Sequence, residues 1–222
     1  MSPEQPIAIL GGTAGLGRAL AMRLVAAGRR VVIGSRVKER AEKAAGDVNK
    51  LVGVELASGD LNESAASVCD IVFFAVPFAG LYQLAKALKK VLKSGAIAVS
   101  CVVPLESDVG GTPEYLEPSN GSAAEALQAT LGNEIKVVSA LTYVSAHALE
   151  DLSNPVDCDI VVCGEREASQ RVMEILSLIS GVRPLYVGGL KYSRITERLT
   201  VLLIGLNRQY NSDRAGIRFT YI

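Results

Sequence analysis

The sequence predicts an α/β fold, a doubly wound parallel sheet with helices on both faces, followed by a small C-terminal α/β unit. Three observations predict it. Short apolar runs of strand length alternate with longer helical patterns along most of the chain. Several runs, such as Asp70-Ile71-Val72-Phe73-Phe74-Ala75-Val76-Pro77, are apolar throughout, as strands covered on both faces are. The first run, Ile7-Ala8-Ile9-Leu10, breaks into Gly11-Gly12-Thr13-Ala14-Gly15-Leu16-Gly17 and resumes as a helix. Such a glycine turn lets the backbone approach a ligand closely, and the N–H groups that open the next helix attract an anion.

Composition bounds the rest. A chain of 222 residues, 49% hydrophobic and 21% charged, suits one large or two small domains. We expect a dinucleotide-binding part at residues 1–144 and a C-terminal substrate and dimerisation part at residues 145–222. Lys+Arg and Asp+Glu balance at 23 each, which gives no electrostatic reason for a nucleic-acid or anionic-membrane partner. No apolar run approaches the roughly 20 residues that span a bilayer, and Met1 to Pro6 lacks a charged leader pattern, so a cytoplasmic protein is expected. Cys69, Cys101, Cys158 and Cys163 form no C-x-x-C pair and read as reduced core thiols. With His147 as the one histidine, no metal site is expected.

Taken in order, the first helix places Leu16, Leu20, Leu24 and Val25 on one face and stops at Gly28. The dinucleotide fingerprint G-x-G-x-x-G falls on Gly12, Ala14 and Gly17, with alanine in place of the middle glycine, which points to a pyrophosphate at this loop. The second strand, Arg30-Val31-Val32-Ile33-Gly34-Ser35-Arg36, lacks the acid that bonds an NAD ribose at its end. Ser35, Arg36, Lys38 and Arg40 instead offer a hydroxyl and several cations. Cations are disfavoured near a helix N-terminus, so a compensating 2′-phosphate, and hence NADP, is expected.

Residues 37–50 read as the crossover helix, 52–57 as a third strand and 62–68 as a short helix. The strand at 70–77 ends at the carboxyl edge of the sheet, where ligands bind in open α/β folds. A helix at 81–92 and a strand at 95–103 follow. Residues 104–121 are rich in Gly, Pro, Ser, Asp and Glu, as functional lids or disordered loops are. A helix at 122–131 and a strand at 135–141 lead to His147, which reads as structural rather than as a catalytic acid. Strand 157–163, amphipathic helix 167–179, strand 183–187 and helix 193–207 complete the chain. The last helix carries Leu199-Thr200-Val201-Leu202-Leu203-Ile204-Gly205-Leu206, apolar around most of its circumference. It needs another protein surface, and a homodimer is expected, with burial inside the C-terminal part as the alternative.

Competing motifs fail. Tyr82-Gln83-Leu84-Ala85-Lys86 has the Y-x-x-x-K spacing of short-chain dehydrogenases, but it follows the fourth strand directly, without a catalytic Ser before it. No G-x-S-x-G elbow or GKS/GKT phosphate loop occurs.

The run Leu10-Gly11-Gly12-Thr13 together with Gly34-Ser35-Arg36, Val76-Pro77, Val103-Pro104, Ser122-Ala123-Ala124-Glu125, Val137-Val138-Ser139-Ala140-Leu141, Val162-Cys163-Gly164 and Ser193-Arg194 resembles the NADPH-dependent reductases of the deazaflavin coenzyme F420. The resemblance covers nearly the whole chain. The same domain resembles the cytoplasmic part of the membrane STEAP metalloreductases, from which the absence of a membrane segment separates it. The resemblance implies a Rossmann-like fold in which Gly12, Thr13, Ala14, Gly15 and Leu16 meet the pyrophosphate of NADP(H). It implies that Ser35, Arg36 and Arg40 hold the 2′-phosphate, and that Phe78, Val103 and Ala146 border the nicotinamide half. Three departures stand out: Ala14-Gly15 for Gly-Asn, Phe78 for tryptophan, and Thr142-Tyr143-Val144-Ser145 for a His-Thr-Ile-Pro run. The implied reaction is direct hydride transfer between NADP(H) and F420, which needs two stacked rings and no catalytic side chain. The expected substrate-binding residues are Thr142, Ser193 and Arg194, the last two opening the final helix where N–H groups and a guanidinium can hold an anionic tail. Reduction of another flavin, a metal complex or an imine, and a non-catalytic NADPH sensor, are the alternatives.

Overall fold

The computed structural model describes residues 5–222, with Val109 described by its backbone alone; residues 1–4, part of the stretch without a leader pattern, lie outside the described residues. Eight strands form one sheet: β1 Ile7–Leu10, β2 Val31–Ser35, β3 Ala57–Leu61, β4 Ile71–Phe74, β5 Ile97–Ser100, β6 Lys136–Ser139, β7 Cys158–Gly164 and β8 Val182–Gly188, in the order β3-β2-β1-β4-β5-β6-β7-β8. Pairing is parallel throughout except at β6–β7. The helices are α1 Gly15–Ala26, α2 Lys38–Val52, α3 Asn62–Val68, α4 Phe78–Leu88, α5 Ala123–Leu131, α6 Ala146–Glu150, α7 Arg166–Leu176 and α8 Ser193–Tyr210.

The all-apolar strands follow from burial on both faces. Ile7, Ile9, Ile33 and Phe73 enter one core with α1 and α2, while Ala8, Leu10, Val72 and Phe74 enter the other with α4 and α5. Successive side chains alternate between these two cores, so no polar face is left. The C-terminal α/β unit continues the same sheet. Within it, β7 pairs with β6 only at Val138–Gly164 and Ser139–Cys163, so most of β7 runs on past the end of β6. The Tyr143 hydroxyl braces that overhang, donating to the Asp159 carbonyl and accepting from the Val161 N–H, each at 2.9 Å. Residues after α8 return along β7, where Asp159 N donates to the Ile217 carbonyl at 2.8 Å.

Several boundaries differ from the sequence reading. The third strand lies at Ala57–Leu61, not 52–57, because α2 continues to Val52 and ends at Gly53, whose φ of 81° is left-handed. Asn49 then fastens the turn, donating to the Ala57 carbonyl at 2.8 Å and accepting from Leu56 N and Ala57 N. Gly59 admits α2, since a Cβ there would lie 2.2 Å from the Ala41 carbonyl carbon. Helix α4 starts at Phe78, three residues earlier than expected, because Pro77 serves as its N-cap. The short α6 was not read from the sequence; Ser145 caps its start, and Arg23 of α1 donates to the Ala148, Leu149, Asp151 and Asn154 carbonyls at its end. Residues 104–121 contain an ordered 3₁₀ turn at Glu106–Val109 and a bridge between Leu105 and Tyr115. No helix among the described residues is long and apolar enough to cross a membrane, and no group of three or more His, Cys, Asp or Glu residues is placed to hold a metal.

Candidate functional site

The glycine loop leaves β1 at the carboxyl edge of the sheet. Gly11, with φ 81°, is fixed by contact with the next strand: a Cβ there would lie 2.4 Å from the Ala75 carbonyl oxygen. Gly17 lets α1 close on the loop, since its Cβ would lie 2.6 Å from the Gly11 carbonyl oxygen. Gly12 is buried and packs against Ile33, whereas Thr13 and Leu16 are half-exposed and Ala14 and Gly15 exposed. Thus the packing glycines are Gly11, Gly12 and Gly17, with Gly11 outside the fingerprint register, and residues 13–16 form the open lip. Ala14 is the N-cap of α1, makes no side-chain capping bond, and no acid lies in the first turn. The helix therefore presents uncapped N–H groups and its positive end to the carboxyl edge of the sheet.

The neighbouring helix ends differ. At α4, Phe78 N donates to Asp108 Oδ2 at 3.1 Å. At α5, Glu125 N donates to Ser122 Oγ at 3.0 Å, while Ala123 N and Ala124 N donate to the Glu197 carboxylate at 2.9 and 3.1 Å. Of the helices that follow β1, β4 and β5, α1 is the one without a side-chain acceptor. An anion drawn to this edge finds α1 free.

At the end of β2, Ser35 is half-exposed and its hydroxyl accepts from Val37 N at 3.2 Å. Arg36 and Arg40 are exposed, and neither forms an ion pair with a described residue. Lys38 is different: Asp60 and Glu42 lie 3.7 and 3.9 Å from its Nζ. Two guanidiniums and a hydroxyl beside an uncapped helix end fit a dinucleotide that carries an extra phosphate on its ribose.

Phe78 and Val103 closely follow β4 and β5, neighbours in the sheet, at its carboxyl edge, while Ala146 opens α6 after β6. Phe78 is buried, its ring edge-on to Tyr82 at 5.8 Å, and Val103 and Ala146 are half-buried. The candidates toward the second substrate are more committed. Thr142 is buried, donates to the Thr196 carbonyl at 3.2 Å, and accepts from Thr200 Oγ1 on its own carbonyl at 2.7 Å. Ser193 is buried with its hydroxyl 2.6 Å from the Leu190 carbonyl and 2.7 Å from Ser122 Oγ. Arg194 is half-exposed and grips Glu125 through Nε and Nη2 at 2.7 and 2.8 Å, not Glu197 on its own helix. His147 is exposed on α6 beside Asp213.

Sequence reading missed Asp108 on this edge and the role of Glu197. Glu197 is buried, takes Tyr115 Oη–H at 3.0 Å besides the two α5 N–H groups, and joins α8, α5 and the 104–121 loop. Burial pushes its carboxyl up to about 7, against the lowering pull of those three donors. Neither residue stands in a motif, and nothing in the local pattern marks it.

The glycine lip on α1, the guanidiniums after β2 and the apolar wall after β4, β5 and β6 define a class, the Rossmann-type dinucleotide-binding oxidoreductases. Residues 6–104 match the family model described as NADP oxidoreductase, coenzyme F420-dependent. Over 220 residues, 96% of this chain and 97% of the relative, the sequence is 45% identical to the F420-dependent NADP reductase of Methanocaldococcus jannaschii. It is 39% identical to that of Methanothermobacter thermautotrophicus over 96% of this chain and 94% of the relative. A crystal structure of an Arthrobacter sp. FB24 protein shares the fold with a TM-score of 0.80 at 23% identity, covering 97% of this chain and 99% of the other. The chain belongs to the F420-dependent NADP reductase family.

Proposed function

We propose that this protein transfers a hydride between NADP(H) and coenzyme F420. The observation that carries the reading is likeness to F420-dependent NADP reductases along the whole chain, joined to an α1 N-terminus left open beside Arg36 and Arg40. The two bound substrates supply the chemistry, a hydride passing directly between nicotinamide C4 and deazaflavin C5. The chain supplies position and exclusion of water.

In this reading the N–H groups of residues 13–16, with Gly12 behind them, hold the pyrophosphate, and Ser35, Arg36 and Arg40 hold the 2′-phosphate. Phe78, Val103 and Ala146 form the apolar border of the nicotinamide. Residues 1–144 are the dinucleotide part and 145–222 the part that completes the deazaflavin side. There, Arg194 has the exposure to meet an anionic tail, while Thr142 holds α8 through the Thr196 carbonyl and Ser193 through the Ser122 hydroxyl.

The same proposal includes a homodimer in the cytoplasm. Ile195, Leu202 and Leu206 are 60%, 57% and 40% exposed, and with half-buried Leu199 they repeat at the 4-3-4 spacing of a helix-packing seam, which a second copy of α8 would cover. Four buried, unpaired cysteines suit a reducing compartment. The deciding assay follows nicotinamide absorbance with NADPH and F420, or with FMN in its place. Oxidation with F420 and little with FMN is expected; NADPH binding without turnover on F420 overturns the reading.

A further inference from the structure

We propose that Asp108 is a positioning residue for hydride transfer, a carboxylate brought from the loop after β5 to hold the first turn of α4 beside the dinucleotide cleft. The inference rests on the dinucleotide site proposed above.

The first turn of α4 is part of the cleft wall. Ala75 N donates to the Leu10 carbonyl at 2.9 Å, the Ala75 carbonyl limits the space at Gly11, and Val76, Pro77 and Phe78 follow directly. Without Asp108, the first N–H of α4 would stand open to an anion beside the glycine loop, a seat that competes with α1 for a pyrophosphate. Pro77 has no side chain to cap α4, so the acceptor must come from elsewhere. Asp108 supplies it at 3.1 Å, satisfying Phe78 N and so closing that N–H to an anion.

Asp108 is itself held firmly. Its N–H donates to the Leu105 carbonyl at 3.0 Å, Glu106 N donates to the Glu114 carbonyl at 2.9 Å, and Leu105 bridges to Tyr115. Tyr115 donates to Glu197 on α8 at 3.0 Å, and the Arg198 guanidinium lies 4.5 Å from the Tyr115 ring centroid. A continuous chain of contacts thus runs from α8, on the deazaflavin side, to Phe78, on the nicotinamide side. Asp108 is its last link. Its role is to fix the nicotinamide end of the cofactor, leaving the adenosine end to Ser35, Arg36 and Arg40.

The test compares Asp108→Ala and Asp108→Asn with the wild type by NADPH affinity, the fluorescence of bound NADPH as a report on nicotinamide immobilisation, and turnover with F420. In Asp108→Ala, NADPH affinity should stay within about threefold, the fluorescence gain on binding should be lost and kcat should fall about tenfold, the size of one hydrogen bond. Asp108→Asn, which keeps an acceptor oxygen, should restore both signals to within about twofold. Wild-type fluorescence and kcat in Asp108→Ala, or an Asp108→Asn protein as impaired as Asp108→Ala, overturns the proposal. Should Asp108→Ala fail to fold, Asp108→Glu displaces the same carboxylate along a longer stem: loss of the fluorescence gain supports the role and an unchanged gain overturns it. The fluorescence readout needs no acceptor, so a wild type inactive with F420 rejects the functional reading while Asp108 is still decided.

Discussion

At the scale of single residues, charge decides most. Arg36 has no ion pair with a described residue, so in the proposed reading its guanidinium would meet a phosphate without breaking another contact. Arg36→Ala should weaken NADPH binding by about 10- to 100-fold, from a charge-assisted contribution of about 1.5 to 3 kcal/mol, and leave NADH binding unchanged; titration of both nucleotides checks it. Asp159 is the opposite case, a fully buried carboxylate that Arg183, Arg218 and Phe219 N surround. The bonds from Arg183 hold its carboxyl well below the usual carboxylate range, with Phe219 N and Arg218 adding to the effect. The folded chain then releases this proton more readily than the unfolded one, so the stabilisation is complete above the ordinary carboxylate pKa of about 3.9 and is lost as pH falls below it. Asp159→Asn should cost about 2 to 3 kcal/mol in denaturant unfolding at pH 7 and flatten the acid limb. The exposed cations at the end of β2 were legible because a missing acid and a run of cations are local signals. Asp108 and Glu197 were not, because their partners lie 30 and more than 70 residues away along the chain.

At the scale of elements, α8 clamps α5 and the 104–121 loop. Ser193 meets Ser122, Arg194 meets Glu125, Glu197 meets Tyr115 and the α5 N-terminus, and Arg198 meets Glu117. Burial has lifted the Glu197 carboxyl to about 7, above the ordinary value near 4.3, so here the folded chain keeps the proton longer than the unfolded one. Stability should fall as pH rises from about 4.3 to about 7 and level off above it; Glu197→Gln should remove that slope in melting curves taken across the range. Long apolar strands and helices with a clear face were legible from periodicity. The polar edge strand β3, with sequence Ala-Ser-Gly-Asp-Leu, was not, since it pairs with β2 alone at the sheet edge and lacks the apolar run that marked the others. The five-residue α6 escaped as well, because its order comes from Arg23 on a distant helix rather than from its own pattern.

At the scale of the whole molecule, the doubly wound order was legible because each parallel connection demands a crossover, and the crossovers were visible as helices. The reversal at β7 was not, since a strand's direction leaves no mark on its composition. The exposed seam of α8 predicts a dimer: sedimentation should give twice the chain mass at micromolar concentration, and Leu202→Glu, placing a charge at a 57% exposed position, should give a folded monomer. The β6–β7 junction carries a consequence for how the molecule opens. Two residue pairs join these strands, against four at β4–β5 and β5–β6. Amide hydrogens of β7 and β8 should therefore exchange with deuterium together, through a partial opening that leaves β1, β2, β4 and β5 protected, and a bound deazaflavin that touches both sides of the junction should slow that exchange.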